Sequence, residues 1–208
     1  LAAVFVVFHK DIFELIKEGF AIIGQFFKSV FGCLFKKAKW QPVVTTPYRR
    51  FVMMVIVSTI PTGIMGILLE GAIGAASATL IVPGILLLLN GIQLLISDRL
   101  PDGALTEADA SYGKAAIVGV AQGIATFPGI SRSGTTITAC LACGFKREFA
   151  VKYSFIMSIP AILGALVLEL FDFSPEMLSG SDMVNYLAGT LVSAVVGYVC
   201  IKTMLVIV

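Results

Sequence analysis

The sequence predicts an all-α integral membrane protein: a multi-span helical bundle with a re-entrant helix pair. Three observations carry this. Of the 208 residues, 58% are apolar and only 13% are charged, and the mean hydropathy is +0.97. A soluble domain is about 45–50% apolar and about 25% charged. Several uncharged stretches approach the ~20 residues a membrane helix needs. Finally, Lys and Arg bracket one apolar stretch so that both of its ends fall on the same side. Intrinsic disorder is excluded, because it needs low hydrophobicity and high charge. The net charge of +2, carried by few and scattered basic residues, excludes nucleic acid as a partner.

Taken in order, Leu1–Phe8 is apolar but too short to span, and no basic stretch precedes it as in a signal peptide. With the apolar run at Met204–Val208, it reads as a sign that residues 1–208 are a piece of a longer membrane domain, cut within a membrane segment at each end. The segment 9–50 is basic and amphipathic. Ile12, Ile16, Phe20, Ile23, Phe27, Val30, Phe31 and Leu34 recur at helical spacing, with Glu14, Glu18, Gln25 and Lys28 on the other side. One or two helices lying in the cytoplasmic interface are expected there. His9, the only histidine, reads as a solvated end residue.

Spans are expected at Phe51–Leu69, in the later part of Gly71–Ser97, at Tyr153–Phe171 and at Val184–Thr203. Eight of the fifteen basic residues lie between Phe8 and Phe51, and further basic positions flank 98–111 and 146–152. These loops are expected to be cytoplasmic. The stretches 70–78 and 172–185 contain no Lys or Arg and are expected outside. Residues 113–145 then have a cytoplasmic loop at each end. One crossing breaks the parity, and two crossings need about 40 residues. A re-entrant pair that turns near the midplane fits. Irregular backbone at that depth is tolerated only where it is buried in protein or lines a cavity, which makes the turn a candidate site.

That turn runs from Gln122 through Pro128, Gly129, Ser131, Arg132, Ser133 and Gly134 to Thr135 and Thr136. Pro128 and Gly129 break the helix. Ser131 or Ser133 can cap the next one. Arg132 at membrane depth costs at least about 2.5–3.5 kcal/mol without a partner or a wet cavity. Its planar donors match phosphate oxygens, and the free N–H groups of a helix start also favour anions. The hydroxyls of Ser131, Ser133, Thr135 and Thr136 add neutral hydrogen bonds. Phosphate or diphosphate is the expected guest. In the alternative reading, Arg132 pairs with a structural carboxylate. Cys140 and Cys143 form a CxxC among apolar residues, with no second pair or nearby His to make a metal site. They read as packing, as do Cys33 and Cys200.

The stretch Pro128-Gly-Ile-Ser-Arg-Ser-Gly-Thr-Thr136 resembles the second signature of the bacterial undecaprenyl-diphosphate phosphatases, the bacitracin-resistance family. Residues 145–160, a basic turn leading into a Ser-Phe…Pro helix, are similar to that family's next stretch, and the end of the last span at Ile201-Lys-Thr is similar too. The resemblance implies an inverted-repeat architecture, of which this chain holds one half and part of the other. It implies hydrolysis of undecaprenyl diphosphate to undecaprenyl phosphate and inorganic phosphate, which recycles the lipid carrier for cell-wall synthesis at the bacterial inner (plasma) membrane. It implies catalytic roles for Ser131, Arg132 and Ser133, and substrate binding by Gln122, Gly129, Gly134, Thr135 and Thr136. A divalent cation, Mg or Ca, is implied as cofactor, with no metal ligands assigned within 1–208. The expected partners are a polyprenyl diphosphate lipid and the bilayer, and a homodimer is compatible with this reading.

One departure stands out. The family's first signature, with two glutamates four residues apart, is not found within any span here. Glu14 and Glu18 have the spacing but sit on the interfacial helix, so the role is not transferred to them. This stretch by itself is therefore expected to be inactive. A secondary transporter or lipid flippase is the competing class, since broken helices at the midplane also hold anionic substrates.

Overall fold

In the computed structural model, residues 1–36, 42–172 and 180–207 are described. They form eight helices, with no strand among them: α1 (Ala2–Val7), α2 (His9–Lys36), α3 (Pro47–Ser77), α4 (Ile81–Ser97), α5 (Tyr112–Ile124), α6 (Arg132–Ala142), α7 (Arg147–Asp172) and α8 (Gly180–Ile207). Three helices are long and apolar enough to cross a bilayer: Pro47–Ser77, Arg147–Phe171 and Met183–Val206. The 17-residue α4 rises about 26 Å, slightly short of the ~30 Å hydrocarbon core.

Helix bounds follow local chemistry. Helix α3 starts four residues before the expected span. There the Thr46 hydroxyl accepts from the Arg49 N–H, and Pro47 occupies the first turn, where its missing N–H costs nothing. The helix also runs past Leu69, because Glu70 breaks the apolar run without breaking the helix. Ser111 caps α5 and Ser131 caps α6 in the same way as Thr46 caps α3.

The expected pair at 113–145 is a helical hairpin of α5 and α6. At 13 and 11 residues they rise about 20 and 16 Å, so neither crosses the ~30 Å hydrocarbon core. Lys114 Nζ donates to the Cys143 carbonyl at 2.7 Å and ties the two open ends together. The loop before α5 is bridged to the α6–α7 turn through Leu105 N to Gly144 O (3.1 Å) and Lys146 N to Leu105 O (2.9 Å). Arg147 N donates to Asp102, and Arg50 donates twice to the Ala110 carbonyl. All three basic loop regions thus share one end of the bundle.

Beneath that end lies an aromatic core of Phe51, Phe145, Phe149 and Tyr153, with ring centroids 5.5–5.9 Å apart. The Tyr153 hydroxyl donates to the Met54 carbonyl and clamps α7 to α3. Gly119 and Gly123 let α5 lie directly on α3. A Cβ at Gly123 would meet Met65, and one at Gly119 would meet α3 backbone. Of the CxxC pair, Cys140 is buried and Cys143 partly buried. Both are free thiols, as is the exposed Cys200.

Helix α2 is a single helix with two unlike faces. Asp11, Glu18 and Gln25, spaced by seven, turn towards the start of α3. Asp11 accepts from Tyr48 (2.9 Å) and pairs with Lys152 (3.2 Å), while Arg49 holds Glu18 and Gln25 at 2.6 Å each. Phe13, Ile16, Phe20, Ile23 and Phe27 face outward and are exposed. The polar stripe is therefore spent on the bundle, and the apolar face is left outside, as an interfacial helix requires. His9 is exposed and bonds only the Val6 carbonyl.

Candidate functional site

The tip of the hairpin, residues 125–131, closes by short local bonds. Thr126 N donates to Gly123 O, Phe127 N to Ile124 O, and Ile130 N to Phe127 O. Gly129 sits at φ +95°, in the region where other residues are strained. It is also wedged against α4, where a Cβ would lie 2.4 Å from the Pro83 carbonyl oxygen. The chain needs glycine there on both counts.

Helix α6 starts from this tip. The Ser131 hydroxyl accepts from Gly134 N at 3.2 Å, and the Ser131 N–H donates to Asn90 Oδ1 at 3.0 Å. The next two N–H groups, of Arg132 and Ser133, have no partner among the described residues. They point out of a helix start and carry its positive partial charge.

A cavity of about 490 Å³ lies beside them. The tip lines one wall, with Arg132, Ser133 and Thr136 from α6. Ser154, Phe155, Ser158 and Ile162 from α7 line another, and Val4 from α1 closes a corner. The Arg132 guanidinium has no hydrogen-bond or ion-pair partner among the described residues. The structural carboxylate that would neutralise it is thus not among them. Thr136 is fully buried; its hydroxyl bonds the Arg132 and Ser133 carbonyls and lies 2.5 Å from that of Ser154. One wall therefore offers cationic and neutral donors to an anion. The other grades into apolar surface at Phe155 and Ile162, which suits a guest that is charged at one end and oily at the other.

The family model described as bacitracin resistance protein BacA matches residues 1–208. The chain belongs to the BacA family. Among BacA relatives, a protein of Methanosphaera stadtmanae named undecaprenyl-diphosphatase is 42% identical over 99% of this chain and 71% of its own length. Proteins of the same name from Methanobrevibacter smithii and Alkaliphilus metalliredigens are 36% and 37% identical over 99% of this chain and 71% of theirs.

Four of the eight positions expected for this BacA site line the cavity: Gly129, Arg132, Ser133 and Thr136. The other four stand behind it. Ser131 caps α6, and Gly134 receives that cap and packs against Leu94. Thr135 donates to Gln93 Oε1 at 3.4 Å. Gln122 is fully buried on the α3 side, where its Nε2 donates to Thr62 Oγ1 at 3.3 Å and its Oε1 has no partner among the described residues. The reading from sequence did not pick out Ser154, Ser158 or Thr126 as lining residues. Ser154 stood within the resembling stretch, but only the fold brings it to Thr136. Among the described residues, no group of three His, Cys, Asp or Glu could hold a metal ion, and the cavity wall bears no carboxylate. These residues do not by themselves fit a divalent cation.

Proposed function

We propose that this protein hydrolyses undecaprenyl diphosphate to undecaprenyl phosphate and inorganic phosphate in the membrane. The observation that carries this is Arg132: an unpaired guanidinium on a cavity wall within a membrane bundle, beside two free N–H groups of a helix start. Such a charge is costly at depth and needs an anion to offset it. Guanidinium binds phosphate oxygens through paired donors, and the helix start adds fixed dipoles. Membership of the BacA family supports the same substrate.

On this reading Arg132 clamps the diphosphate, and the N–H groups of Arg132 and Ser133 meet charge that builds on the phosphoryl oxygens as the anhydride bond breaks. The Ser133 hydroxyl adds a donor. Thr136 and Ser154 keep that wall rigid by bonding each other and the first turn of α6. Phe155 and Ile162 receive the first isoprene units. Water supplies the incoming oxygen, the leaving group is the lipid monophosphate, and orthophosphate is released. On this reading the product returns the lipid carrier to cell-wall synthesis, the protein works in the plasma membrane, and the basic end of the bundle faces the cytoplasm. A divalent cation would offset charge on the diphosphate, but among the described residues none supplies it a ligand set.

The test is phosphate release from a polyprenyl diphosphate by the purified complete gene product, with the lipid product resolved by chromatography. Equimolar orthophosphate and lipid monophosphate are expected. Movement of the lipid across proteoliposomes with no phosphate released would replace hydrolysis with transport.

A further inference from the structure

Helix α4 is inside out. Most of its leucines and isoleucines, among them Leu88, Leu89, Ile92 and Leu95, are exposed, while its buried residues are Asn90 and Ser97. Pro83, Leu87, Asn90, Leu94 and Ser97 are spaced by four and three, so they form one stripe. That stripe is the surface on which the hairpin tip rests. Gly129 meets the backbone of Pro83 and Leu87, and Gly134 meets the Leu94 side chain. Between these contacts Asn90 Oδ1 accepts the Ser131 N–H at 3.0 Å.

We propose that Asn90 is a positioning residue for the site. It fixes the entry of the chain into α6 through Ser131, and so sets the aim of the Arg132 and Ser133 N–H groups and of the Arg132 side chain. It lines no part of the cavity and does not touch the guest. The inference rests on the proposed diphosphate site. Its physical basis is that a backbone N–H shielded from solvent favours an acceptor, and no backbone carbonyl serves the partly buried Ser131, which precedes the first helical turn. An apolar residue at 90 would leave that N–H to find another partner, and the tip would shift to provide it. Gln93, one turn along, holds Thr135 and cannot substitute, because it acts beyond the cap.

The test uses the complete gene product in nanodiscs, with Asn90→Leu, Asn90→Asp and the lipid-facing control Leu88→Ala. Amide exchange is read at residues 126–134, and KM and kcat are read on a polyprenyl diphosphate. Asn90→Leu should speed exchange at the tip at least about fivefold and raise KM at least about fivefold, with α3 and α5 protected as in the parent. Asn90→Asp keeps an acceptor and should keep the tip protected, while its charge beside the site raises KM. Leu88→Ala should match the parent in both. If Asn90→Leu does not accumulate, Asn90→Ala takes its place as the variant without an acceptor. Parental exchange and KM in the variant lacking the acceptor overturn the inference, as does an Asp variant that exchanges as fast as Leu. Arg132→Ala, run alongside, separates the two readings. If it hydrolyses at the parental rate, the diphosphate site falls. If it fails while the Asn90 variants behave as parent, the positioning role alone falls.

Discussion

A Cβ on Gly119 would lie 2.2 Å from the Ser58 carbonyl oxygen, so α5 and α3 touch backbone to backbone at that crossing. The Thr62 hydroxyl sits in the same joint, donating to both the Gly119 and Ser58 carbonyls. Gly119→Ala must push the helices apart, and overpacking of this kind costs about 1–3 kcal/mol. A lower thermal midpoint in detergent is expected. Gly66→Ala, where a Cβ meets nothing within 4 Å, should be neutral or stabilising by up to about 1 kcal/mol. Equal midpoints for the two variants would deny the close crossing.

Arg132→Ala removes the charge and the fork of donors. A drop in kcat/KM of at least about a hundredfold is expected, equivalent to about 2.7 kcal/mol. Arg132→Lys keeps the charge without the planar fork and should recover only part of the loss. Because Arg132 has no protein partner among the described residues, both variants should be as stable as the parent or more so. An Arg132→Ala protein that inserts normally and turns over at the parental rate would sink the phosphate clamp.

The Ser131 hydroxyl caps α6. Loss of such a cap costs about 0.5–2 kcal/mol. Ser131→Ala is therefore expected to lower the thermal midpoint and to reduce kcat/KM by about tenfold, with Ser131→Thr restoring most of both. Complete loss of turnover in Ser131→Ala, unrelieved by Thr, would instead make this hydroxyl a reacting group.

Much of the frame was legible because charge and length are one-dimensional. Lys114 and Lys146 bracket a stretch too short for two crossings, and α5 and α6 are indeed a hairpin. The break at Gly129 was legible for a similar reason, since Pro-Gly late in a helix favours a break, whereas Pro83-Gly84 in the first turn of α4 leaves that helix intact. What stayed hidden depended on contacts across the chain. Asn90 looks like a tolerated polar residue in a leucine run until α4 lies against the tip. Gln122 reads as a site residue by its resemblance to a polar position on the first half-helix, and in the structure its side chain meets Thr62. The acidic stripe of α2 reads as solvated, because its partners Arg49 and Lys152 lie 31 and 141 residues away from Glu18 and Asp11.

Sidedness can be read by cysteine labelling on a background cleared of native thiols. Asp102 and Arg147 are joined by a 2.6 Å hydrogen bond, so positions 102 and 146 should label from one side of the membrane. Position 75, near the far end of the 31-residue α3, should label from the other. From the excess of basic residues the first side is expected to be cytoplasmic. Labelling of 102 and 146 from opposite sides would remove the re-entrant reading of α5 and α6, and external labelling of both would invert the bundle.

The shortness of α5 and α6 also orders events at the ribosome. A hairpin that cannot reach across, and that carries Arg132 at its tip, has no stable residence in lipid by itself. Its tip is seated by α4, already synthesised, but the Thr136 hydroxyl and the cavity wall are completed only by Ser154 and Ser158 of α7. The hairpin and α7 are therefore expected to enter the bundle as one unit. Slowing translation just after residue 146 would delay that entry and expose the hairpin to membrane proteases.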